Sequence, residues 1–293
     1  NKIKKYPINR EALKKLIKPL EKLKSLIGLP KIKEGILNMV LYYLQNFEPE
    51  NKSLLHTVIT GQPGVGKTEC GKIIGKIYAA LGVIPSNKFV MVKRTDLIGE
   101  YLGHTAHKTQ RKIDEADGGV LFIDEAYSLG SDEKRDSYSK ECIDTLNRNL
   151  TEKKKKLIVI IAGYENELEK SFFSYNPGLK RRFPFKYSID GYSSEELCEI
   201  FKKKINDIKW KFAKDINMEK INNLFIENKD MFPNYGGDVE NFLTVCKFSH
   251  SKRVFGLHPK LRKKLTNKDI KDGFEEFTKS KKKEDKMNNF MYI

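Results

Sequence analysis

Five short apolar runs punctuate the chain between residues 55 and 190, at 57–60, 89–92, 120–123, 157–162 and 185–189, all rich in Val, Ile and Phe. Runs this short, β-branched and bounded by polar or Gly-containing stretches, predict buried strands. Helical spacing fills several of the intervals. Cys70, Ile73, Ile74, Ile77 and Leu81 fall on one face of a helix that follows the first run. Strands alternating with helices predict βαβ units, hence an α/β fold on a five-stranded, mostly parallel sheet. After Gly191 the β-like runs stop. Residues 193–209, 217–228, 237–254 and 267–277 read as amphipathic helices, the first opened by a capping box at Ser193 and Glu196. Ahead of the first run, Leu13, Leu16, Ile17, Leu20 and Leu23 mark a basic amphipathic helix, and helical spacing resumes over 26–47 after Gly28 and Pro30. The expected organisation is a helical extension over 1–25, an α/β domain over 26–190, a helical domain over 191–279 and a flexible basic tail over 280–293.

The loop after the first strand carries the chemistry. Gly61-Gln62-Pro63-Gly64-Val65-Gly66-Lys67-Thr68 fits the pattern GxxxxGK[ST], set between a strand and an amphipathic helix. Glycines let backbone N–H groups close around phosphates, and the helix that follows adds its positive end. Lys67 is then the residue for the β- and γ-phosphates of ATP, and the Thr68 hydroxyl a ligand for Mg2+; Glu69 follows directly as a further candidate contact. The third run ends in two acids, Val120-Leu121-Phe122-Ile123-Asp124-Glu125. Asp124 would hold Mg2+ at the carboxyl end of the strand, and Glu125 would act as the general base on water. Beyond the fourth run, Asn176-Pro177-Gly178 forms a turn ahead of Arg181 and Arg182. Arginine stabilises charge on a transferring phosphoryl group, and a neighbouring subunit can supply it; a basic surface turn is the plainer reading.

With these three elements in place, the chain resembles the AAA+ ATPases, and within them the branch of red-type Rubisco activase and stage V sporulation protein K. The resemblance is carried by the stretch from Asp96 to Thr109, by Gly118 to Tyr127, by Ile161-Ala162-Gly163-Tyr164 and by Asn176-Pro177-Gly178. It implies an αβα sandwich followed by a C-terminal α-helical lid, and a homo-oligomeric ring, usually a hexamer, with ATP between subunits. Arg182 matches the arginine finger, with Arg181 beside it. Tyr101, Leu102 and Gly103 match a pore loop that grips a polypeptide client, although Tyr101 also suits a packed aromatic in a loop. Ile27 and Gly28 match the segment that wraps adenine, or a simple turn leading into a helix. Two departures stand out. Tyr164 occupies the place where many relatives carry an Asn that orients water. The stretch Tyr235-Gly236-Gly237-Asp238-Val239-Glu240 has no arginine where many lids carry one, and Lys252 and Arg253 come a few turns later.

Composition changes this picture little. The net charge is +17, with 56 Lys and Arg against 39 Asp and Glu, a balance that suits a solvated lysine-rich surface or an anionic partner such as nucleic acid. A nucleic-acid-handling ATPase and a nucleotide-dependent assembly scaffold therefore stay beside protein remodelling as readings. The run Lys153–Lys156 reads as a solvated turn, and the cluster Lys260, Arg262, Lys263 and Lys264 as plain surface or a contact for an acidic partner or nucleic acid. Cys70, Cys142, Cys198 and Cys246 lie far apart, which predicts reduced thiols and a cytoplasmic setting rather than disulfides or zinc. No apolar run has the length of a membrane-crossing helix. The chain starts at Asn1 rather than Met, so targeting information can precede it. His104 and His107 have helical spacing without a third ligand to complete a metal site.

Overall fold

A computed structural model describes residues 9–45, 55–101, 103–130, 136–151 and 156–290. The chain divides into two units, one of residues 1–62 and 66–190, the other of 63–65 and 191–293.

The first unit is built on five strands, β1 (Thr57–Gly61), β2 (Phe89–Val92), β3 (Val120–Ile123), β4 (Ile158–Gly163) and β5 (Phe185–Ile189). All are parallel, in the order β2-β3-β4-β1-β5. Each strand lies within one residue of an expected apolar run; the inner strands β3 and β4 are buried along their whole length and apolar throughout, whereas the edge strand β5 exposes Lys186 and Ser188. The longer helices are α1 (Arg10–Lys24), α2 (Pro30–Leu44), α3 (Lys67–Ala80), α4 (His104–Glu115) and α5 (Ser137–Thr151). Side-chain alternation sorts the strands into two faces. Val58, Leu121, Ile123, Val159 and Ile161 share a cluster with Ile113 of α4 and Ile143 and Leu146 of α5. Val120 and Phe122 point the other way, toward α3.

Two small residues set how closely α3 approaches. A Cβ on Gly71 would lie 2.5 Å from the Phe122 ring, and one on Gly75 would lie 3.0 Å from Val120 Cγ2. Spaced four apart, these glycines form a flat stripe that lets the helix backbone lie on the strand. The N-terminal end of α3 is thereby seated at the carboxyl ends of β1 and β3, where open α/β sheets bind ligands.

The second unit contains α6 (Ser194–Asp207), α7 (Met218–Glu227), α8 (Gly236–Val254) and α9 (Asn267–Phe290), with a two-residue parallel pair, β6 (Lys211–Phe212) and β7 (Lys264–Leu265). Its core is aromatic: Phe201 stacks on Phe242 at 5.1 Å, Phe225 meets Phe232 at 4.9 Å, and Phe232 stacks on Phe277 at 5.3 Å. The expected frayed tail differs here, since α9 continues to Phe290. Lys281 explains the continuation in part. Its ammonium pairs at 2.7 Å with the buried Asp238 of α8, whose other oxygen accepts the Asn234 N–H.

Candidate active site

β1 ends at Gly61, and the chain turns through the P-loop into α3. The turn needs left-handed backbone at Gly64 (φ 71°) and Gly66 (φ 91°), a conformation that costs a side-chain-bearing residue about 1 kcal/mol or more. Lys67 and Thr68 open α3, both half-buried. The Lys67 ammonium donates to the carbonyls of Gly61 and Gln62, each at 2.8 Å, and sits 5.5 Å from the centre of the Tyr164 ring. Burial lowers its pKa from the usual lysine value, while the charges of Asp124 and Glu125 oppose that shift. Lys67 therefore shares one electrostatic neighbourhood with both acids that follow β3. Glu69 turns elsewhere: its carboxylate pairs with Lys22 of α1 at 2.5 Å, and that hydrogen bond holds it below the usual carboxylate range.

Asp124 and Glu125 follow β3 at once. Asp124 extends the sheet pattern by donating its N–H to Val92, and its Oδ1 accepts the Glu125 N–H at 3.1 Å. Glu125 is exposed and holds φ at 52°, left-handed for a residue with a side chain. Such backbone recurs at functional sites, where the surroundings hold it in place.

Tyr164, directly after β4, stacks on Tyr127 with ring centres 5.4 Å apart and planes at 29°. Gly163 makes room for the pair, because a Cβ there would lie 2.9 Å from the Tyr127 ring. The Ser171 hydroxyl donates to the Tyr127 carbonyl at 2.8 Å. Burial, followed by the negative charge of Glu125, raises the Tyr127 pKa. Tyr127 was not a candidate from sequence. Its only signal was its place in the string that runs on from Asp124 and Glu125, since a stack between residues 37 apart leaves no local pattern.

The remaining candidates lie elsewhere in the first unit. Asn176 caps the turn, its side chain accepting the Gly178 N–H at 2.8 Å. Arg182 folds back, donating through Nη1 to the Gly178 carbonyl at 2.9 Å, while its Nε is buried without a partner; Arg181 is exposed. Behind Arg182 lies His56, whose Nδ1 accepts the Val159 N–H at 3.0 Å, so the ring is neutral and its Nε2–H faces the Leu150 carbonyl. Burial depresses its pKa to about 4, with the Arg182 charge adding to the effect. Ile27 and Gly28 form the left-handed turn from α1 to α2, with Gly28 at φ 60° and Leu29 at φ 62°. Tyr101 is 66% exposed, with its ring edge against His104, and Gly103 (φ 82°) caps α4. Leu102 lies outside the described residues. His104 and His107 line an open cleft with Tyr101, Lys108 and Arg111. In the second unit, Arg253 is not free to replace a lid arginine, because Asp269 takes its Nε at 2.7 Å and its Nη2 at 2.9 Å.

The donor set suits Mg-ATP. A hydroxyl and a carboxylate are hard oxygen ligands appropriate to Mg2+, and a desolvated ammonium beside glycines of left-handed backbone suits phosphate. A parallel sheet with a phosphate-binding loop after β1 and an acidic pair after β3, one strand removed, defines a P-loop ATPase. The chain belongs to the AAA family, the ATPases associated with various cellular activities, which it matches over residues 57–190. It is thus an ATP-hydrolysing enzyme with an AAA domain.

Among its relatives, a putative cfxQ-like protein of Acanthamoeba polyphaga mimivirus is 44% identical over 98% of this chain and 70% of its own length. Stage V sporulation protein K of Bacillus subtilis is 36% identical over 70% of this chain and 65% of its own. A chloroplastic ribulose bisphosphate carboxylase/oxygenase activase of Cyanidioschyzon merolae is also 36% identical, over 69% and 65%. The chain thus spans about two thirds of the length of these relatives. Among solved structures, the AAA domain of FIGL-1 in complex with ADP aligns with a TM-score of 0.59 at 18% identity, over 85% of this chain and 82% of that one, a likeness of fold. Among the described residues, no helix is long and apolar enough to cross a membrane.

Proposed function

We propose that this chain is a ring-forming AAA+ motor that uses ATP hydrolysis to remodel a polypeptide. The observation that carries the reading is the shared neighbourhood of Lys67, Asp124, Glu125 and Tyr164 at the ends of three adjacent strands. P-loop amides and Lys67 hold the β- and γ-phosphates. The Thr68 hydroxyl and the Asp124 carboxylate would hold Mg2+, which when bound would supply charge neutralisation at the phosphate oxygens. Glu125 takes a proton from the attacking water. Tyr164 presents its ring face to Lys67 and aims the ammonium. Ile27 and Gly28 border the adenine. Arg182 of a neighbouring subunit leaves the Gly178 carbonyl to meet the transferring phosphoryl group.

The pulling step draws on Tyr101, an exposed aromatic in a Gly-flanked loop, and on likeness to the sporulation and activase relatives. Tyr101, Leu102 and Gly103 would grip the client.

The test pairs two variants. Glu125→Gln should bind ATP yet hydrolyse it at least about 100-fold more slowly, and accumulate as a nucleotide-bound ring in light scattering. Tyr101→Ala should keep basal hydrolysis and lose its stimulation by an unfolded polypeptide. Stimulation by DNA in place of polypeptide would assign the motor to nucleic acid, and a Glu125→Gln protein that still turns over would remove the general base.

A further inference from the structure

The second unit carries a surface that the ATPase chemistry leaves unused. Between Glu240 and Asp269 the chain has eight Lys or Arg residues and no Asp or Glu. Within that span, residues 255–264 are exposed without interruption. Large apolar side chains stand among the cations: Phe255 is 91% exposed, Phe248 63%, Leu257 47% and Leu261 41%. Phe248, Lys252 and Phe255 are spaced four and three apart and so fall on one face at the end of α8.

This segment is built rather than loose. The Leu257 N–H donates to Val254, Lys260 N–H to His258 Nδ1, and Leu261 N–H to the His258 carbonyl, which folds the tip into a turn. Its two ends are tied together. Arg253 reaches across to the Lys264 carbonyl at 3.3 Å and is itself gripped by Asp269. Asp269 is buried and also contacts His250 at 3.0 Å, and the His250 ring lies edge-on to Trp210 at 5.0 Å. Burial works to raise the Asp269 pKa, but hydrogen bonds from Arg253, the Thr266 N–H and His250 bring it to about 2, so the anchor stays ionised. On the far side, Lys263 accepts the Lys211 N–H at 2.9 Å.

A fixed turn that displays two phenylalanines and two leucines among cations, in a stretch of chain with no Asp or Glu of its own, is complementary to a chain that is both acidic and apolar. We infer that residues 248–264 form a docking surface for an acidic polypeptide segment in which apolar side chains alternate with carboxylates. The leucines weigh against single-stranded nucleic acid, which stacks its bases on aromatic faces and offers an aliphatic side chain only ribose and phosphate. The interleaving of Lys260, Leu261 and Arg262 weighs against a membrane, where apolar chains must enter on one side with the cations behind them. None of residues 248–264 is among those assigned to nucleotide, so binding here is tested without hydrolysis.

The test measures binding of the full chain, without nucleotide, by fluorescence anisotropy. The probe is a fluorescein-labelled peptide of repeating Glu-Leu-Asp-Phe. Comparators are the same peptide with Ser at every Leu and Phe, an oligothymidylate of equal charge, and phosphatidylserine–phosphatidylcholine vesicles. The apolar acidic peptide should bind most tightly, with the serine version about tenfold weaker. Phe255→Ser with Leu257→Ser should weaken it about tenfold, and Lys260→Glu with Arg262→Glu should abolish it, with basal ATPase and melting temperature unchanged. Tighter binding of oligothymidylate or vesicles overturns the inference. So does binding that survives the substitutions, and so does a probe that does not bind. Each of these results leaves the motor reading intact, because that reading is scored on hydrolysis.

Discussion

Replacing Arg182 by Ala separates the shared-site reading from a self-contained one. Among the described residues the guanidinium makes one hydrogen bond, Nη1 to the Gly178 carbonyl at 2.9 Å. Losing a bond of that kind costs about 1 kcal/mol of stability. An arginine finger acting in trans is worth about 10³–10⁵ in turnover, or roughly 4–7 kcal/mol of barrier. The two effects differ enough to be told apart. Arg182→Ala should lower the melting temperature by a few degrees at most and leave binding of a fluorescent ATP analogue to the dilute chain nearly unchanged, while kcat falls by about 10³ or more. Arg182→Lys should not rescue it, because an ammonium lacks the planar fork. The decisive assay mixes two inactive chains. Glu125→Gln keeps Arg182 but lacks its general base, and Arg182→Ala keeps the base but lacks the finger. In randomly mixed rings about one interface in four unites an intact Glu125 with an intact Arg182, so equal mixing should restore about a quarter of the unaltered rate. Co-assembled rings without recovery would refute the shared site. Loss of turnover in Arg181→Ala with full turnover in Arg182→Ala would refute the choice of arginine.

Two further outcomes follow from the half-buried Tyr164 and the buried His56. Tyr164→Phe keeps the ring face beside Lys67 and should bind ATP normally, whereas Tyr164→Ala should weaken it about fivefold, the worth of about 1 kcal/mol of cation–π attraction; Tyr164→Asn should not restore it, and equal loss in Phe and Ala would show that the hydroxyl matters instead. His56 should make stability pH-dependent. Its folded pKa of about 4 lies below the ordinary 6.5, so the unfolded chain binds the extra proton between those values. The contribution is complete above pH 6.5 and is lost as pH falls toward 4, with about 2 kcal/mol gone at pH 5. Denaturant titrations of the unaltered chain and His56→Gln should therefore converge between pH 7 and 5, and parallel curves would count against a neutral buried imidazole.

What was legible in the chain follows from what local pattern can encode. The inner strands β3 and β4 announced themselves because strands covered on both faces are continuously apolar, and the edge strands β2 and β5 through their short β-branched and aromatic runs. The P-loop did so because its chemistry needs particular residues at fixed spacing. Features made by long-range contact left no such trace. The Tyr127–Tyr164 stack joins two strand ends, and neither residue looks unusual alone. The seating of α3 rests on Gly71 and Gly75, which within a helix read as weak formers, not as a stripe matched to Val120 and Phe122. The two-residue β6–β7 pair is too short for any periodicity, and α9 outran the expected tail because Lys281 found a buried partner 43 residues earlier in the chain.

Arg253 carries that contrast to its end. From sequence it stood as the nearest later arginine to an empty place in the lid, a residue defined by its distance from a missing one. In the fold it is the cross-brace of a different structure, joining Asp269 to the Lys264 carbonyl beneath an exposed basic and apolar turn. A charge already satisfied by a buried carboxylate gains little from approaching a phosphate, since it must first break a desolvated ion pair whose rupture costs about 3–5 kcal/mol. Any response of the second unit to nucleotide would therefore work without that arginine, which instead fixes the shape of the surface where a partner would dock.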